Sequence, residues 1–203
     1  GFKIAMRDLE TRGAGNLLGE QQSGHMEAVG YDLYCKMLND AVKQLKGEEV
    51  EEDFETTVEL DIDAYIPASY IRNEVQKLDV YKRIAAIGND EDYDEMADEL
   101  IDRYGELPRP AENLLAVALL KAQAHEAGVT QLVQHGTETK IMMYERAGVD
   151  IRRIPPLLEK YGRRMKFTGQ PKPYFTVKLD KTSAAEVLKC EKSVIKDIKT
   201  LID

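Results

Sequence analysis

Between residues 30 and 46, Leu33, Met37, Leu38, Ala41 and Leu45 recur at three- and four-residue steps, so GYDLYCKMLNDAVKQLK predicts an amphipathic helix that Gly47 ends. The period then changes. In TTVELDIDAYIP, Val58, Leu60 and Ile62 alternate with polar positions, which predicts a half-buried strand closed by Pro67. Three helices follow. The first, about 68–87, places Ile71, Val75, Leu78, Tyr81 and Ile84 on one face. The second, about 91–104, stops at Gly105, and the third, about 109–127, opens on Pro108 and Pro110 and stops at Gly128. NLLAVALLKAQA in the third is apolar on more than one face, which predicts the most buried helix.

Beyond Gly128 the pattern predicts a hairpin, VTQLVQ and KIMMYE, around a turn in HGTET. VDIRRIPPLLEKYG predicts a short helix broken or bent by Pro155 and Pro156. RMKFTG and YFTVKLD predict two more strands. A closing helix follows from Thr182 or Ser183 as cap. Helices and strands are largely segregated, which predicts an α+β fold: a helical N-terminal part, then a compact domain of several helices and a small, mainly antiparallel sheet.

Charge divides the chain. The stretch EEVEEDFE holds too few apolar residues to bury and repels itself, so 48–55 is expected to be an acidic linker between 1–47 and a domain at 56–203. Residues 48–128 carry seven basic and 22 acidic side chains, whereas 129–203 carry 15 basic and nine acidic. An acidic middle repels phosphate, and a basic end attracts phosphate or an acidic protein surface. The widely spaced Cys35 and Cys190 form no CxxC, which favours a reducing cytosol. No run of apolar residues is long enough to span a membrane, and the N-terminus lacks a signal pattern.

Candidate chemistry is sparse. No GxxxxGK[ST] loop is present. Gly13 and Gly15 form a GxG, but no strand–helix frame surrounds them. His25, His125 and His135 lack ligand spacing, so no metal site is expected. Ser23 in QSGH is not in a nucleophile elbow, and each cysteine reads as core filler. The acids from Asp90 to Glu95 lack the calcium-loop pattern and read as helix N-terminal acids. No catalytic residue and no cofactor is expected. One cluster stands out: Arg152, Arg153, Lys160, Arg163, Arg164 and Lys166, interleaved with Tyr161, Phe167, Tyr174 and Phe175. This is the composition of a nucleic-acid surface over 152–178. It is equally that of a sheet with aromatics inside and charge outside, or of charge pairing within one domain.

GFKIAMRDLETRGAGNLLGEQQSG resembles the translocation motif at the end of the translocase module in bacterial transcription-repair coupling factors and in the related helicase RecG. The order Asp8-Leu9-Glu10, Arg12-Gly13, Gly15, Leu18-Gly19, Gln22-Ser23-Gly24 carries the likeness. GYDLYCKMLNDAVKQLKG, TTVELDIDAYIP, LDVYKRIAAI and ELIDRYGELPRPAENLL resemble the coupling factors rather than RecG. The resemblance implies that the chain is the C-terminal end of a larger cytoplasmic bacterial protein whose ATPase lobes lie elsewhere. Residues 1–47 would be a remnant of the translocase module. Within it Arg12, Gly13, Gly15, Gln22, Ser23 and Gly24 would belong to the motif that couples ATP hydrolysis to movement on duplex DNA.

The resemblance further implies that 56–203 is a regulatory domain rather than an enzyme. It would pack on the UvrB-like N-terminal module of the same protein and mask the surface meant for UvrA. RNA polymerase and DNA would be met through other regions. Arg152, Arg153, Arg163, Arg164 and Lys166 are the candidate contact residues.

Overall fold

The computed structural model describes residues 54–203, which fall into two compact units, one containing 61–119 and the other built from 54–60 and 120–203. The sequence-predicted helix at 30–46 lies outside the described residues.

In the first unit, Ile62, Ala64 and Ile66 are buried between Asp61, Asp63 and Tyr65, so the apolar alternation continues well past the strand. Strand pairing, however, is confined to β1, Thr57–Glu59. The backbone of the following segment is held by other partners: Tyr65 N–H donates to Pro110 O (3.1 Å), Ile66 N–H to Tyr81 Oη (3.0 Å), and Asn113 Nδ2 to Asp63 O (2.9 Å). Side-chain alternation therefore reports burial, not the ladder.

Helix α1 is Glu74–Ala85, shorter at its start than the periodicity predicts. Pro67 O accepts from Tyr70 and Ile71 in a separate turn, and Asn73 restarts the chain as a cap, its side chain accepting from Gln76 N (3.0 Å). Ile71 thus belongs to the core but not to the helix. Val75, predicted on the inner face, is 65% exposed, and the buried stripe is Lys77, Val80, Tyr81 and Ile84.

Helix α2, Asp90–Tyr104, begins at Asn89 with Asp90, Glu91 and Asp92 in its first turn and buries Met96 and Leu100. Its far end stops at Gly105, whose φ of 91° favours glycine. Tyr70 Oη lies 3.0 Å from Leu100 O and 2.8 Å from Gly105 O, so its single proton is shared between the last turn of α2 and the residue that ends it. Helix α3, Arg109–Glu126, has Leu114, Leu115, Val117, Leu119, Leu120 and Ala124 at or near zero exposure, as its apolar sequence predicts.

The second unit is a five-stranded sheet of order β1-β2-β3-β5-β4, with β2 Val129–His135, β3 Glu138–Met143, β4 Met165–Thr168 and β5 Tyr174–Lys178. Only β1 and β2 run parallel; the other neighbours are antiparallel. Gly136, at φ 63°, takes the first central position of the two-residue β2–β3 turn, where type II′ geometry needs a positive φ. At Gly128 (φ 77°) an added Cβ would come within 2.7 Å of Ala147 Cβ, so any other residue would force the chain apart there.

The register puts Val58, Leu132, Ile141 and Phe175 in one row across the sheet, all fully buried. Helix α5, Ala184–Lys199, starts at Ser183 and buries Val187, Glu191, Val194, Ile195 and Ile198. Helix α4, Ile154–Tyr161, follows a 3₁₀ turn at Ile151–Arg153. Pro155 and Pro156 sit in its first turn, where a missing N–H costs nothing; they start the helix rather than break it. Lys160 Nζ (2.9 Å) and Tyr161 Oη both bond Asp197 of α5.

Candidate interaction surface

The five candidate basic residues do not form one patch of equivalent charges. Arg152 makes a two-pronged contact with Asp150, Nε to Oδ1 and Nη2 to Oδ2, both 3.1 Å. The same carboxylate accepts Arg152 N–H at 3.0 Å, and these bonds hold the Asp150 carboxyl below its ordinary value. Arg153 Nη1 donates to Thr200 O (2.6 Å) and Asp203 O (2.9 Å). Arg153 therefore fastens the turn before α4 to the C-terminal end of α5, as does Asp150 N–H donating to Leu201 O (2.8 Å), while Arg152 braces Asp150 within the turn.

The other three lie at the start of β4. Arg163 and Arg164 form a 3₁₀ turn, Gly162–Arg164, and Lys166 is the second residue of the strand. Arg164 Nε is 3.8 Å from Asp180 Oδ2, and its Nη2 is 3.7 Å from Cys190 Sγ. That thiol is half-buried rather than in the core, and it is raised, first by desolvation. Arg163 and Lys166 are exposed and have no ion-pair partner among the described residues.

The interleaved aromatics are committed elsewhere. Phe175 is fully buried and Phe167 packs on it with centroids 4.8 Å apart. Tyr161 is bonded to Asp197 and its hydroxyl is raised, chiefly by burial. Tyr174 has the Lys140 ammonium 4.4 Å from its ring centre. A base-stacking platform needs free ring faces; this geometry favours aromatics inside and charge outside.

Two features escaped the sequence reading. Phe54, assigned to the acidic linker, places its ring against His125 (4.5 Å) and Tyr144 (4.6 Å). Thr56 Oγ1 beside it donates to Val129 O (2.7 Å) and lies 3.1 Å from His125 Nδ1. The second feature is Glu191, fully buried against the sheet, whose Oε1 meets Thr139 Oγ1 at 2.6 Å while Oε2 has no partner. Burial pushes this carboxyl up to about 7. A glutamate on the apolar stripe of α5, four residues after Val187, was the available signal. Among the described residues no group of three or more His, Cys, Asp or Glu is placed to hold a metal ion. No described helix is long and apolar enough to cross a membrane. The motif residues Arg12, Gly13, Gly15, Gln22, Ser23 and Gly24 lie outside the described residues.

Fold and surface together define an α+β domain whose distinctive exposed chemistry is charge at one margin of a sheet. The TRCF domain family model matches residues 60–154. A transcription-repair-coupling factor of Bacillus subtilis is 42% identical over 168 residues, covering 81% of this chain and 14% of that protein. One from Staphylococcus haemolyticus is 44% identical over 149 residues, covering 72% of this chain and 13% of that protein. A crystal structure of the C-terminal domain of a transcription-repair coupling factor superposes with a TM-score of 0.67 at 21% identity, covering 76% of this chain and 98% of that one. Residues 60–154 thus match a TRCF domain, and the chain spans about one seventh of the length of the B. subtilis relative.

Proposed function

We propose that this chain is the C-terminal part of a bacterial DNA translocase that couples transcription to nucleotide excision repair, and that 56–203 is a protein-interaction module rather than an enzyme. The observation that carries this reading is the match of 81% of the chain, at 42% identity, to one short part of a transcription-repair-coupling factor. In the resting protein the module packs on the UvrB-like N-terminal module and masks the surface that UvrA uses. RNA polymerase and duplex DNA are engaged by other regions, in the cytoplasm, and the module itself needs no cofactor. A releasable mask needs only a few kcal/mol of preference for the closed state, since each 1.4 kcal/mol is about a tenfold bias. A polar interface suits such a contact. The test is UvrA capture by the full-length protein with and without 56–203. Deletion is expected to raise UvrA binding at least tenfold, and unchanged capture would sink the masking role.

Residues 7–24 are proposed to belong to the motif that turns ATP hydrolysis into movement. Arg12→Ala or Gln22→Ala in the full-length protein should leave ATP hydrolysis largely intact and abolish displacement of a stalled polymerase. Equal loss of both activities would assign these residues to the ATPase chemistry or to folding instead.

A further inference from the structure

The free edge of the sheet is basic. β4 ends the strand order, with β5 on one side and, among the described residues, no strand on the other. An edge strand directs alternate N–H and C=O groups away from its neighbour, where they can pair with an added strand. Met165 N–H is taken by Gly162 O, and no other described backbone or side-chain group outside β5 bonds the β4 backbone. Helix α4 does not close this edge by hydrogen bonding; its polar contacts go to α5, through Lys160 and Tyr161 to Asp197.

Charge selects the occupant. Arg163, Arg164 and Lys166 lead into and occupy the strand, and β4 itself, MKFT, carries no acid. Among the described residues, the ion pair made by these three is Arg164 with Asp180, 3.8 Å from Nε. Lys166 pairs with Thr176, and Thr176 with Lys140, so the outward row across β4, β5 and β3 holds two ammonium groups. The intervening residues Met165 and Phe167 pair with Val177 and Phe175 on the opposite, buried face. An added strand would place alternate side chains beside Lys166 and the others beside the partly exposed Phe167.

We infer that the β4 edge takes up, by strand addition, an extended segment of a protein partner in which acidic and apolar side chains alternate. The acids pair with Lys166 and the flanking arginines, and the apolar residues cover Phe167. A lysine on an edge guards against promiscuous pairing. Here it also disfavours a second copy of β4, which would oppose Lys166 and Arg164 with the same charges. This inference goes beyond the masking role and does not depend on it.

The probe is a capped eight-residue peptide of alternating glutamate and valine, titrated into the full chain and followed by backbone amide NMR. Amides of 163–168 should shift, and that of Phe167, whose N–H faces away from β5, should exchange more slowly. Lys166→Glu should weaken binding at least tenfold, and the milder Lys166→Gln should weaken it less. The peptide N-methylated at every second amide should lose at least tenfold in one of its two phases, because strand addition uses backbone N–H groups. No perturbation at millimolar peptide overturns the inference, as do shifts confined elsewhere, equal binding in both methylated phases, or equal binding of a lysine–valine peptide. It is equally overturned by duplex DNA displacing the peptide at lower concentration, or by self-association of the chain that Lys166→Glu abolishes. None of these outcomes touches UvrA capture, so the two readings fail separately.

Discussion

The unit of 61–119 satisfies helix-end N–H groups with asparagine caps, whereas the unit of 54–60 and 120–203 buries a carboxyl in its core. In the first, Asn73 and Asn89 each meet backbone groups that a helix end leaves unpaired. Water can still reach these ends, so each contact adds a modest stabilisation. In the second, Glu191 is sealed under the sheet with one oxygen unpartnered. The same chain thus treats polar groups in two ways, and the difference should be visible as a difference in response to pH.

Glu191 should give the larger effect. Thr139 Oγ1 lies 2.6 Å from Glu191 Oε1 and 3.4 Å from Val177 O. With the acid protonated, Glu191 donates to Thr139, and Thr139 donates onward to Val177. With the acid ionised, the one threonine proton must turn to the carboxylate. Burial disfavours the ionised form and outweighs the pull of the Thr139 bond, which gives a folded-state value of about 7 against an ordinary 4.5. A carboxyl raised on folding lends its stability below the unfolded value and loses it as pH rises through the folded one. Stability should therefore fall between about pH 4.5 and 7, by about 3 kcal/mol, and level off above that. Glu191→Gln mimics the protonated acid, donating to Thr139 from its amide. Urea unfolding at pH 5 and pH 8 should show the variant gaining on the wild type only at the higher pH. Equal gain at both would mean that Glu191 stays ionised in the fold.

The legible and illegible parts of the structure divide along related lines. Helices α2, α3 and α5 were readable because cap, period and stop coincide in sequence, as at Gly105 and Ser183. The hairpin was readable from its glycine turn. The start of α1 was not, because Ile71 and Val75 keep helical spacing across a turn that Asn73 interrupts; a local hydrogen bond outweighed the period. Nor was the extent of β1, since 61–66 is buried in alternation without strand partners. For the candidate surface, the sequence located the basic residues but could not sort them. Arg152 is spent on Asp150, two residues away, and Arg153 on C-terminal carbonyls that lie 47 and 50 residues along the chain. Phe167 and Phe175 were turned to one face by strand register, which composition does not report.

The smaller effect belongs to the first unit. Asn89 Oδ1 accepts from Asp92 N–H at 2.8 Å, while Asp92 Oδ2 accepts from Gly88 N–H at 3.0 Å, so side chain and backbone satisfy each other across the first turn of α2. Asn89→Ala removes the acceptor without opening a cavity, because residue 89 is exposed. The expected cost is about 1 kcal/mol, the usual loss for a truncated cap. Amides in the first turn of α2 should exchange about fivefold faster wherever local opening governs them. Asn89→Asp keeps the acceptor but adds a fourth negative charge to a start already holding Asp90, Glu91 and Asp92; it should recover part of the loss, and more of it in high salt. Neither change should alter the difference in stability between pH 5 and pH 8, because no titrating group is buried by this cap. A cost near 3 kcal/mol, or one that varies across that pH range, would break the contrast between end-capped helices and a buried acid by showing that Asn89 supports the core as well as the helix end.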